Sequence, residues 1–254
     1  MRFFASLLFA LILVGVNPIR PQQTPLPVLK DTQAVNLVSQ ALAMAGGKLA
    51  INAIDDYTAT GQIIYHFAQD AQGAVTVRAC GFDQIRIDAN LPAGVRSQIS
   101  NRGEDAIRTE DGAVGWSGIQ TPFAPTRLIL PQLLLATALD SPGYKLSYLG
   151  LKDLEGHSVH DVQLQLIQFG EADSRTEYRT IEFFLDASTF QILMMQDTVP
   201  RSKVRQVRYS GYKFASGILV PSSIKESIDH RATWEIQLAN ISLNSGLTDF
   251  DFQL

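Results

Sequence analysis

The amino-acid sequence predicts a mainly β fold of the α+β class, in which one long antiparallel sheet carries a few helices. From Tyr57 onward, apolar and polar residues alternate with a period of two over most of the chain, as in strands with one buried face. Short clusters of Gly, Pro, Asn and Asp separate these runs. Connections this short pair successive strands antiparallel, because a parallel crossover needs about a dozen residues or more. A sheet of this length must limit its edges, so we expect it to curl or close.

Composition and charge narrow the class of protein. Of the 254 residues, 46% are apolar and 18% are charged, which is typical of a chain that forms a core. There are 21 Lys and Arg residues against 25 Asp and Glu residues, and a net charge of -4 offers no basic surface for a nucleic acid. The single cysteine, Cys80, can form no internal disulfide and is expected to be an inert buried thiol.

The N-terminal segment has the pattern of a secretory signal peptide. Arg2 precedes an apolar run from Phe3 to Val16 that only Ser6 and Gly15 interrupt. The run is shorter than the roughly 20 residues of a membrane span and has the length of a signal-peptide core; a buried helix or an uncleaved anchor is the alternative. We therefore expect an exported chain with no stable membrane span after processing. The predicted parts are a signal peptide at 1–17 with cleavage between 15 and 23, a Pro-rich linker at 18–30 and a single β domain at 31–254.

Two helices are predicted. The first spans Thr32 to Ala45, because Asp31 is a helix N-cap type, apolar residues follow at helical spacing, and Gly46-Gly47 ends the segment. The second, at residues 125–139, is apolar over more than half of its circumference and is divided by Pro131 into two short helices. A helix this apolar must be covered on most sides or lie over an apolar cavity.

The alternating runs predict strands before and after the second helix. In the first strand, Tyr57 to Phe67, the odd-numbered positions form one face, and Gln72-Gly73 is expected to turn the chain. In the last strand, Thr233 to Leu243, the apolar phase shifts near Ala239-Asn240, which predicts a β-bulge. The other predicted strands are Val75 to Cys80, Phe82 to Asp88, Arg96 to Ser100, Glu104 to Thr109, Ala113 to Trp116, Tyr144 to Gly150, Ser158 to Phe169, Tyr178 to Asp186, Gln191 to Asp197, Val204 to Tyr212 and Ile218 to Ile228.

Five segments, taken in order, carry a resemblance to a known family. They are Asp31 to Phe67, Phe82 to Asp88, Ile181 to Asp186 with Thr189 in the following turn, Tyr209 to Lys213 with Gly217 to Pro221, and Ile241 to Phe250. Together they are spread over most of the mature chain, from Asp31 to Phe250, and resemble the outer-membrane lipoprotein carriers (LolA-like) and the related lipoprotein-localisation-factor superfamily. The chain is longer than those carriers, and its first strand begins Tyr57-Thr58-Ala59-Thr60-Gly61 where theirs tends to read Ala-x-Phe-x-Gln.

The resemblance implies both a fold and a function. The fold is an incomplete antiparallel β-barrel, a strongly curved sheet whose concave face is lidded by helices. Family members use this cavity for acyl chains or other hydrophobic ligands in the periplasm. We therefore expect an exported, non-enzymatic binding protein without a cofactor that holds an acyl chain, a lipoprotein lipid or another hydrophobic ligand. Carriage to the outer membrane, with membrane proteins of the envelope as partners, is one version of this role; the alternative is an envelope-stress sensor or partner-binding scaffold of the same fold.

Candidate ligand-binding residues follow from the predicted strands and the second helix. An ordinary closed core is the alternative interpretation of all of them. The candidate cavity lining is Tyr57, Ile63, Tyr65, Phe67, Val75, Val77, Ile85, Ile87, Phe183 and Leu185. The candidate lid residues are Leu128, Leu134 and Leu135.

Two sets of basic residues have candidate roles. Arg201, Lys203 and Arg205 have a spacing of two, which places them on one face of a strand. They form a candidate dock for anionic lipid headgroups or an acidic partner, or else the solvated side of an edge strand. Arg78 and Arg86 are candidates for the arginine that holds the lid of the carriers shut.

The sequence offers no catalytic or metal site. His157 and His160 are three residues apart, which would suit a helix, but Ser158 to Phe169 is a predicted strand, where an odd separation places the two side chains on opposite faces. His66 and His230 are expected to be surface groups, and the carboxylate pairs Asp55-Asp56 and Glu110-Asp111 to be solvated turn residues. No G-x-S-x-G motif or phosphate-binding glycine loop occurs.

Overall fold

Three helices are present in the part of the chain that the structure, a computed structural model, describes. That part comprises residues 30–66, 69–81, 84–102, 104–117, 129–168, 177–199 and 202–253. The predicted signal peptide and the linker up to residue 29 lie outside it. None of the described helices is long and apolar enough to cross a membrane. The helices are α1 (Thr32–Met44), α2 (Lys48–Asn52) and α3 (Pro131–Asp140), with a 3₁₀ helix at Asp249–Phe252.

The strands form a large curved antiparallel sheet that is not closed into a barrel, which confirms the predicted fold class. Its thirteen strands run in the order β6-β5-β4-β3-β2-β1-β15-β14-β11-β10-β9-β8-β7, and β12 and β13 form a separate hairpin. The strands are β1 (Asp56–His66), β2 (Asp70–Cys80), β3 (Gln84–Leu91), β4 (Gly94–Asn101), β5 (Glu104–Arg108), β6 (Val114–Ser117), β7 (Tyr144–Leu154), β8 (His157–Gln168), β9 (Glu177–Asp186), β10 (Ile192–Val199), β11 (Lys203–Ser210), β12 (Lys213–Ala215), β13 (Ile218–Val220), β14 (Ser223–Ile228) and β15 (Arg231–Leu243).

The helix boundaries follow from local chemistry. The Asp31 carboxylate accepts a hydrogen bond from Gln33 N–H at 2.7 Å and caps α1, as predicted. After α1, Gly46 has a φ of 117° and lies so close to the β12–β13 hairpin that a Cβ would stand 2.6 Å from Gly217 O. Pro131 is at the start of α3, where its missing N–H costs no hydrogen bond. Residues 125–128 of the predicted second helix lie outside the described residues.

The pairing of β1 with β15 contains the predicted bulge. Thr60 pairs with Asn240 and Gly61 with Leu238, so Ala239 is the extra residue on β15. Gly61 is required here, because a Cβ at this position would stand 2.1 Å from Gln237 O. Lys213 Nζ donates to the Leu238 and Ala239 carbonyl oxygens at 3.0 and 2.5 Å. Gly61 of β1 and Lys213 of β12 therefore both stabilise the bulge.

Two predicted boundaries are wrong, one because two strands approach closely and one because a proline interrupts a strand. Gln72-Gly73 does not turn the chain but lies inside β2, where Gly73 allows Asn90 O of β3 to approach within 1.9 Å of a Cβ position. The predicted strand Ile218 to Ile228 is divided, because Pro221 has no N–H for a ladder. Its first part pairs with β12, and its second part belongs to the main sheet.

The concave face of the sheet forms the core with the helices. In β1 the odd positions Tyr57, Ala59, Ile63 and Tyr65 are all buried, as the period of two predicted. The same buried cluster includes side chains from β2, β3, β8, β9, β10, β11 and β14, together with α1 and α3. Burial of each large apolar side chain contributes about 1.5–3 kcal/mol. The helices are therefore part of the core of the fold and not an attachment to it.

The outer face carries a small second apolar cluster of Val159, Phe184 and Met194. Beside it, the fully buried Asp161 carboxylate is 2.5 Å from Lys152 Nζ, and this ammonium lies 5.9 Å from the centroid of the Phe184 ring. These side chains stand on the opposite face from Val162 and Leu164 of the main core. β8 and β9 are thus covered by apolar contacts on both faces.

The Gly61 contact gives a test of the register. We expect Gly61→Ala to lower the free energy of unfolding by about 2–4 kcal/mol, because its Cβ would collide with the backbone of β15. Gly115→Ala is the matched control: this glycine also lies in a strand, and nothing stands within 4 Å of its Cβ position. The control should change the free energy by less than about 0.5 kcal/mol. Urea denaturation measures both, and equal effects would contradict the assigned β1–β15 register.

Candidate functional site

The helix layer, defined as α1, α2 and α3, is attached to the sheet at both ends of α1. At its start, Asp31 N–H donates to Leu146 O of β7 at 2.9 Å, and the Asp31 carboxylate accepts from Tyr148 N–H at 3.3 Å. At its end, Ala45 O accepts from Leu219 N–H of β13 at 2.9 Å. Between these two points α1 contacts the sheet through the apolar core. Few polar bonds would have to break for the helix to move away from the strands.

The helices are also connected to one another through polar groups. The Asp140 carboxylate at the end of α3 forms an ion pair with Lys48 of α2 and accepts from Asn52 Nδ2 at 3.1 Å. The Lys48 ammonium, beside this carboxyl group, holds the pKa of Asp140 below its usual range. Lys30 Nζ donates to Leu139 O at 2.7 Å. The three helices are therefore linked to each other at their exposed ends and can move as a unit.

A pocket lies where the helix layer meets one end of β10 and the β12–β13 hairpin. Its cavity volume is about 20 Å³, room for about one water molecule, and it is partly open to solvent. Polar side chains around it bond to the backbone: Gln132 Nε2 donates to Leu219 O at 3.3 Å and Tyr212 Oη to Ile192 O at 2.5 Å. The pocket wall is thus largely apolar. It is formed by Ala41, Leu42, Met44, Ala45, Gln132, Leu135, Phe190, Gln191, Ile192, Tyr212 and Leu219.

A tight turn after β9 positions one wall of the pocket. The Asp186 carboxylate accepts from the Ser188 and Thr189 N–H groups at 3.0 and 2.7 Å, and from both of their hydroxyl groups at 2.6 and 2.9 Å. These bonds, led by the one from the Ser188 hydroxyl, lower the pKa of Asp186 to about 2. Phe190 follows with a φ of 57°, and its ring stacks on His160 at a centroid distance of 6.2 Å. The strained turn therefore holds Phe190 against β8, next to the pocket.

The opposite end of the concave face carries a buried group of charged residues, Arg205, Asp197 and Glu226, which we call the polar cluster. Arg205 Nε and Nη2 donate to the two Asp197 oxygens at 2.8 and 2.5 Å. Glu226 accepts from Thr233 Oγ1 at 2.5 Å. Burial raises the pKa of Glu226, although the bond from Thr233 and the charge of Arg205 oppose this. All three side chains share the face of neighbouring core residues such as Val207.

A second polar group adjoins this cluster across the sheet. Tyr65 pairs with Trp234, which in turn pairs with Glu226. The Arg96 guanidinium lies 5.4 Å from the centroid of the Tyr65 ring and 3.6 Å from the Glu110 carboxylate. Burial raises the pKa of Tyr65 to about 12. The concave face is therefore apolar beneath the helices and polar toward the β1–β2, β10–β11 and β14–β15 connections.

The predicted ligand-binding residues lie mostly in the buried core. Of the predicted residues that the structure describes, Leu135 is the one that lines the pocket. Leu134 is fully buried in the core beside it, and Phe67 and Leu128 lie outside the described residues. Their role in ligand binding stays a prediction. The other buried members of the predicted lining are Tyr57, Ile63, Tyr65, Val75, Val77, Ile85, Ile87, Phe183 and Leu185.

The geometry speaks against the roles considered for Arg205, Arg78 and Arg86. Arg205 is buried and paired with Asp197, so the predicted dock of Arg201, Lys203 and Arg205 loses this guanidinium. Lys203 is exposed, and Arg201 lies outside the described residues. Arg78 and Arg86 both bond to the Asp88 carboxylate, on the face of the sheet away from the helices, so neither can hold the lid.

The titratable residues singled out in the sequence occupy separate places. His157 is exposed, while His160 lies on the concave face with Nδ1 3.1 Å from Tyr148 Oη, so the expected opposite orientation is confirmed. Asp56 is not solvated: it is 7% exposed and accepts from Ser245 N–H and Oγ at 2.6 and 2.7 Å. Cys80 is half-buried, not buried as expected. Among the described residues, no three His, Cys, Asp or Glu side chains converge as a metal site.

Sequence reasoning missed most of the pocket. Phe190, Gln191 and Ile192 follow the Asp186 turn, and the signal available was the carboxylate followed by Ser188 and Thr189, which is typical of a tight turn. Tyr212 and Leu219 belong to segments that carried the family resemblance, but the fold of the β12–β13 hairpin over the end of α1 is a tertiary contact. No local pattern indicates it.

Comparison with known proteins identifies the fold. No family model matches the sequence, and no curated protein matches it. The chain is similar to a solved domain from Vibrio parahaemolyticus named for outer membrane lipoprotein sorting, with 11% identity and a TM-score of 0.53, covering 87% of this chain and 96% of that one. It is similar to a LolA superfamily protein from Nitrosomonas europaea (11% identity, TM-score 0.54, 87% and 97% covered). A DUF1329 family protein from Desulfovibrio piger gives 12% identity and a TM-score of 0.54, with 87% and 97% covered. The LolA-like fold implied by the resemblance is confirmed.

The Asp186 turn predicts a pH dependence of stability. Because its pKa is lowered to about 2 in the folded chain, its stabilising effect is complete above about pH 4 and is lost as the pH falls toward 2. At pH 6 we expect Asp186→Asn to unfold with a free energy about 1 kcal/mol below that of the unmodified chain, a value reduced for solvent screening. Urea denaturation from pH 6 to pH 2 should show this difference shrinking. A constant difference would contradict the role of the charge.

Proposed function

We propose that the chain is an exported binding protein that holds a hydrophobic ligand, an acyl chain or a lipoprotein lipid, between the helix layer and the concave face of the sheet. The observation that carries the proposal is the apolar pocket at the boundary between Leu135 of α3, Leu42 of α1 and Ile192 of β10. It is partly open to solvent and borders the apolar core. Hydrocarbon that enters it would be buried at about 0.8 kcal/mol per CH₂ group.

The helix layer is the natural lid of such a site. Backbone hydrogen bonds join α1 to the strands at its two ends, Gln132 of α3 adds one bond to Leu219 O, and the other contacts with the sheet are largely apolar. An incoming acyl chain can replace apolar contacts with apolar contacts, so displacing the helices from the strands breaks few hydrogen bonds. The pocket is then the closed form of a larger site that forms when the helices move.

The proposal also includes export of the chain and carriage of its ligand. The apolar run at residues 3–16 supports a signal peptide, and the LolA-like fold is shared with solved domains named for lipoprotein sorting. We propose a periplasmic chain that receives its ligand from one envelope component and gives it to another. The predicted lining on β1, β2, β3 and β9 would become accessible to the ligand only when the lid opens.

Lipid retention tests the proposal directly. Native mass spectrometry of the purified protein should detect a bound lipid, and the delipidated protein should take up the methyl ester of 12-(1-pyrenyl)dodecanoic acid with a change in fluorescence anisotropy. Leu135→Asp places a charge in the apolar wall and should weaken uptake by about tenfold or more. Lys203→Asp, at an exposed position on β11, is the charge control and should leave uptake unchanged. Absence of lipid and of uptake, with capture of a protein partner instead, would favour a scaffold and contradict ligand carriage.

The lid can be tested with a disulfide. Ala45 and Leu219 share a backbone hydrogen bond of 2.9 Å, so cysteines at both positions are within reach of one another. In a Cys80→Ser background, we expect the oxidised Ala45→Cys/Leu219→Cys variant to take up the probe at least about tenfold more slowly than the unmodified chain. Reduction of the disulfide should restore the rate. Each single variant under the same oxidising conditions is the control. Equal rates in the oxidised and reduced forms would show that this end of α1 is not the gate.

A further inference from the structure

A buried hydroxyl group without a hydrogen-bond partner lies inside the concave face. Tyr209 of β11 is 3% exposed, and its Oη has no partner among the described residues. Burial raises the pKa of this phenol well above its usual value, so it stays protonated and can donate. Unpaired buried hydroxyl groups cost free energy and are rare in native proteins, so this one requires a physical reason.

Tyr209 lies between the pocket and the polar cluster. Along β11 it follows Arg205 by four residues, and it precedes Tyr212, whose hydroxyl bonds to Ile192 O at the pocket. Side chains at positions 205, 207 and 209 share the concave face. Besides burial, the groups that act on the pKa of the Tyr209 phenol are Tyr212, Arg205, Asp197 and Tyr57. By its position on β11, Tyr209 therefore stands between the apolar and the polar parts of the interior.

The charges around this position favour an uncharged ligand group. The Arg205 guanidinium donates two hydrogen bonds to Asp197, and Glu226 is a second carboxyl group beside the same cation. The cluster thus has no surplus positive charge with which to bind a carboxylate or a phosphate. A buried anion would lose its hydration without gaining a cation, whereas a carbonyl oxygen would gain the Tyr209 O–H.

We propose that Tyr209 Oη is the polar anchor of the ligand-binding interior and that it donates a hydrogen bond to the carbonyl oxygen of an uncharged acyl ester. The hydrocarbon chain of the ligand lies toward the pocket, between Leu135 and Ile192, and the ester group lies beside Arg205 and Asp197. This inference rests on the proposed function, because the ligand must enter beneath the helix layer. It adds the chemical class of the head group and the residue that recognises it.

Three matched probes test the head group. 12-(1-Pyrenyl)dodecanoic acid, its methyl ester and 1-dodecylpyrene share the pyrene and the hydrocarbon chain but carry a carboxylate, an ester or no head group. Delivered from methyl-β-cyclodextrin, they give dissociation constants by fluorescence anisotropy. We expect the ester to bind about 3- to 10-fold more tightly than 1-dodecylpyrene, and the carboxylate to bind more weakly than the ester.

Tyr209→Phe removes the hydroxyl group alone. It should weaken ester binding by about 3- to 10-fold and leave the affinity for 1-dodecylpyrene unchanged. Tyr144→Phe is the matched control, because Tyr144 is a buried core tyrosine on the edge strand β7, three strands from β10. It should leave the ester preference intact. If Tyr209→Phe binds the ester as tightly as the unmodified chain, or if the carboxylate binds best, the proposed hydrogen bond from Tyr209 is wrong. The proposed function would not be contradicted by that result.

Thermal unfolding of the ligand-free protein gives an independent measurement. Because the Tyr209 hydroxyl is unpaired, Tyr209→Phe should melt at the same temperature as the unmodified chain or above it. Tyr212→Phe, which loses a bond to Ile192 O, should melt lower. An equal decrease in both variants would show that Tyr209 already has a partner in the free protein and would overturn the proposal. Failure of all three probes to bind would instead contradict the proposed function.

Discussion

The constraint on which the structure depends is the apolar concave face of an open sheet. Core side chains on β1–β3, β7–β11, β14 and β15 are buried on this face, and a sheet with two free edges cannot hide them by closing on itself. The chain covers them with α1 and α3, which form part of the same buried cluster. Since polar contacts join the helices mainly to one another and to the ends of strands, the cover is stable but separable.

The interior is divided along the strands. Beneath the helices it is apolar, and toward the other end of β10, β11 and β14 it holds Arg205, Asp197 and Glu226. Buried ion pairs of this kind can often be replaced by apolar residues without loss of stability, so stability alone gives no reason to keep them. An interior with an apolar end and a polar, charge-balanced end has the polarity profile of an uncharged amphiphile. The unpaired Tyr209 hydroxyl lies where the two regions meet.

Local patterns in the sequence predicted most of the fold but little of the pocket. The alternation of residues 57–67, the cap at Asp31 and the phase shift at Ala239 are encoded within single segments, and all three agree with the structure. The errors come from contacts between segments. Gly73 allows the backbone of Asn90 on the neighbouring strand to approach closely. The charge of Arg205 is neutralised by Asp197 of the neighbouring strand. The pocket depends on the packing of a turn and a hairpin against α1, which no period of two or 3.6 residues reveals.

The strand order also determines which strand pairing completes the sheet. The first six strands form one meander and the later strands of the sheet another, and among the described residues the two join where β1 pairs with β15. Contacts between such distant segments form late, because a long stretch of polypeptide must be closed first. Until β15 is in place, the edge of β1 stays open to pairing with other chains. The β1–β15 seam is therefore the point at which incomplete folding would expose the sheet to intermolecular pairing.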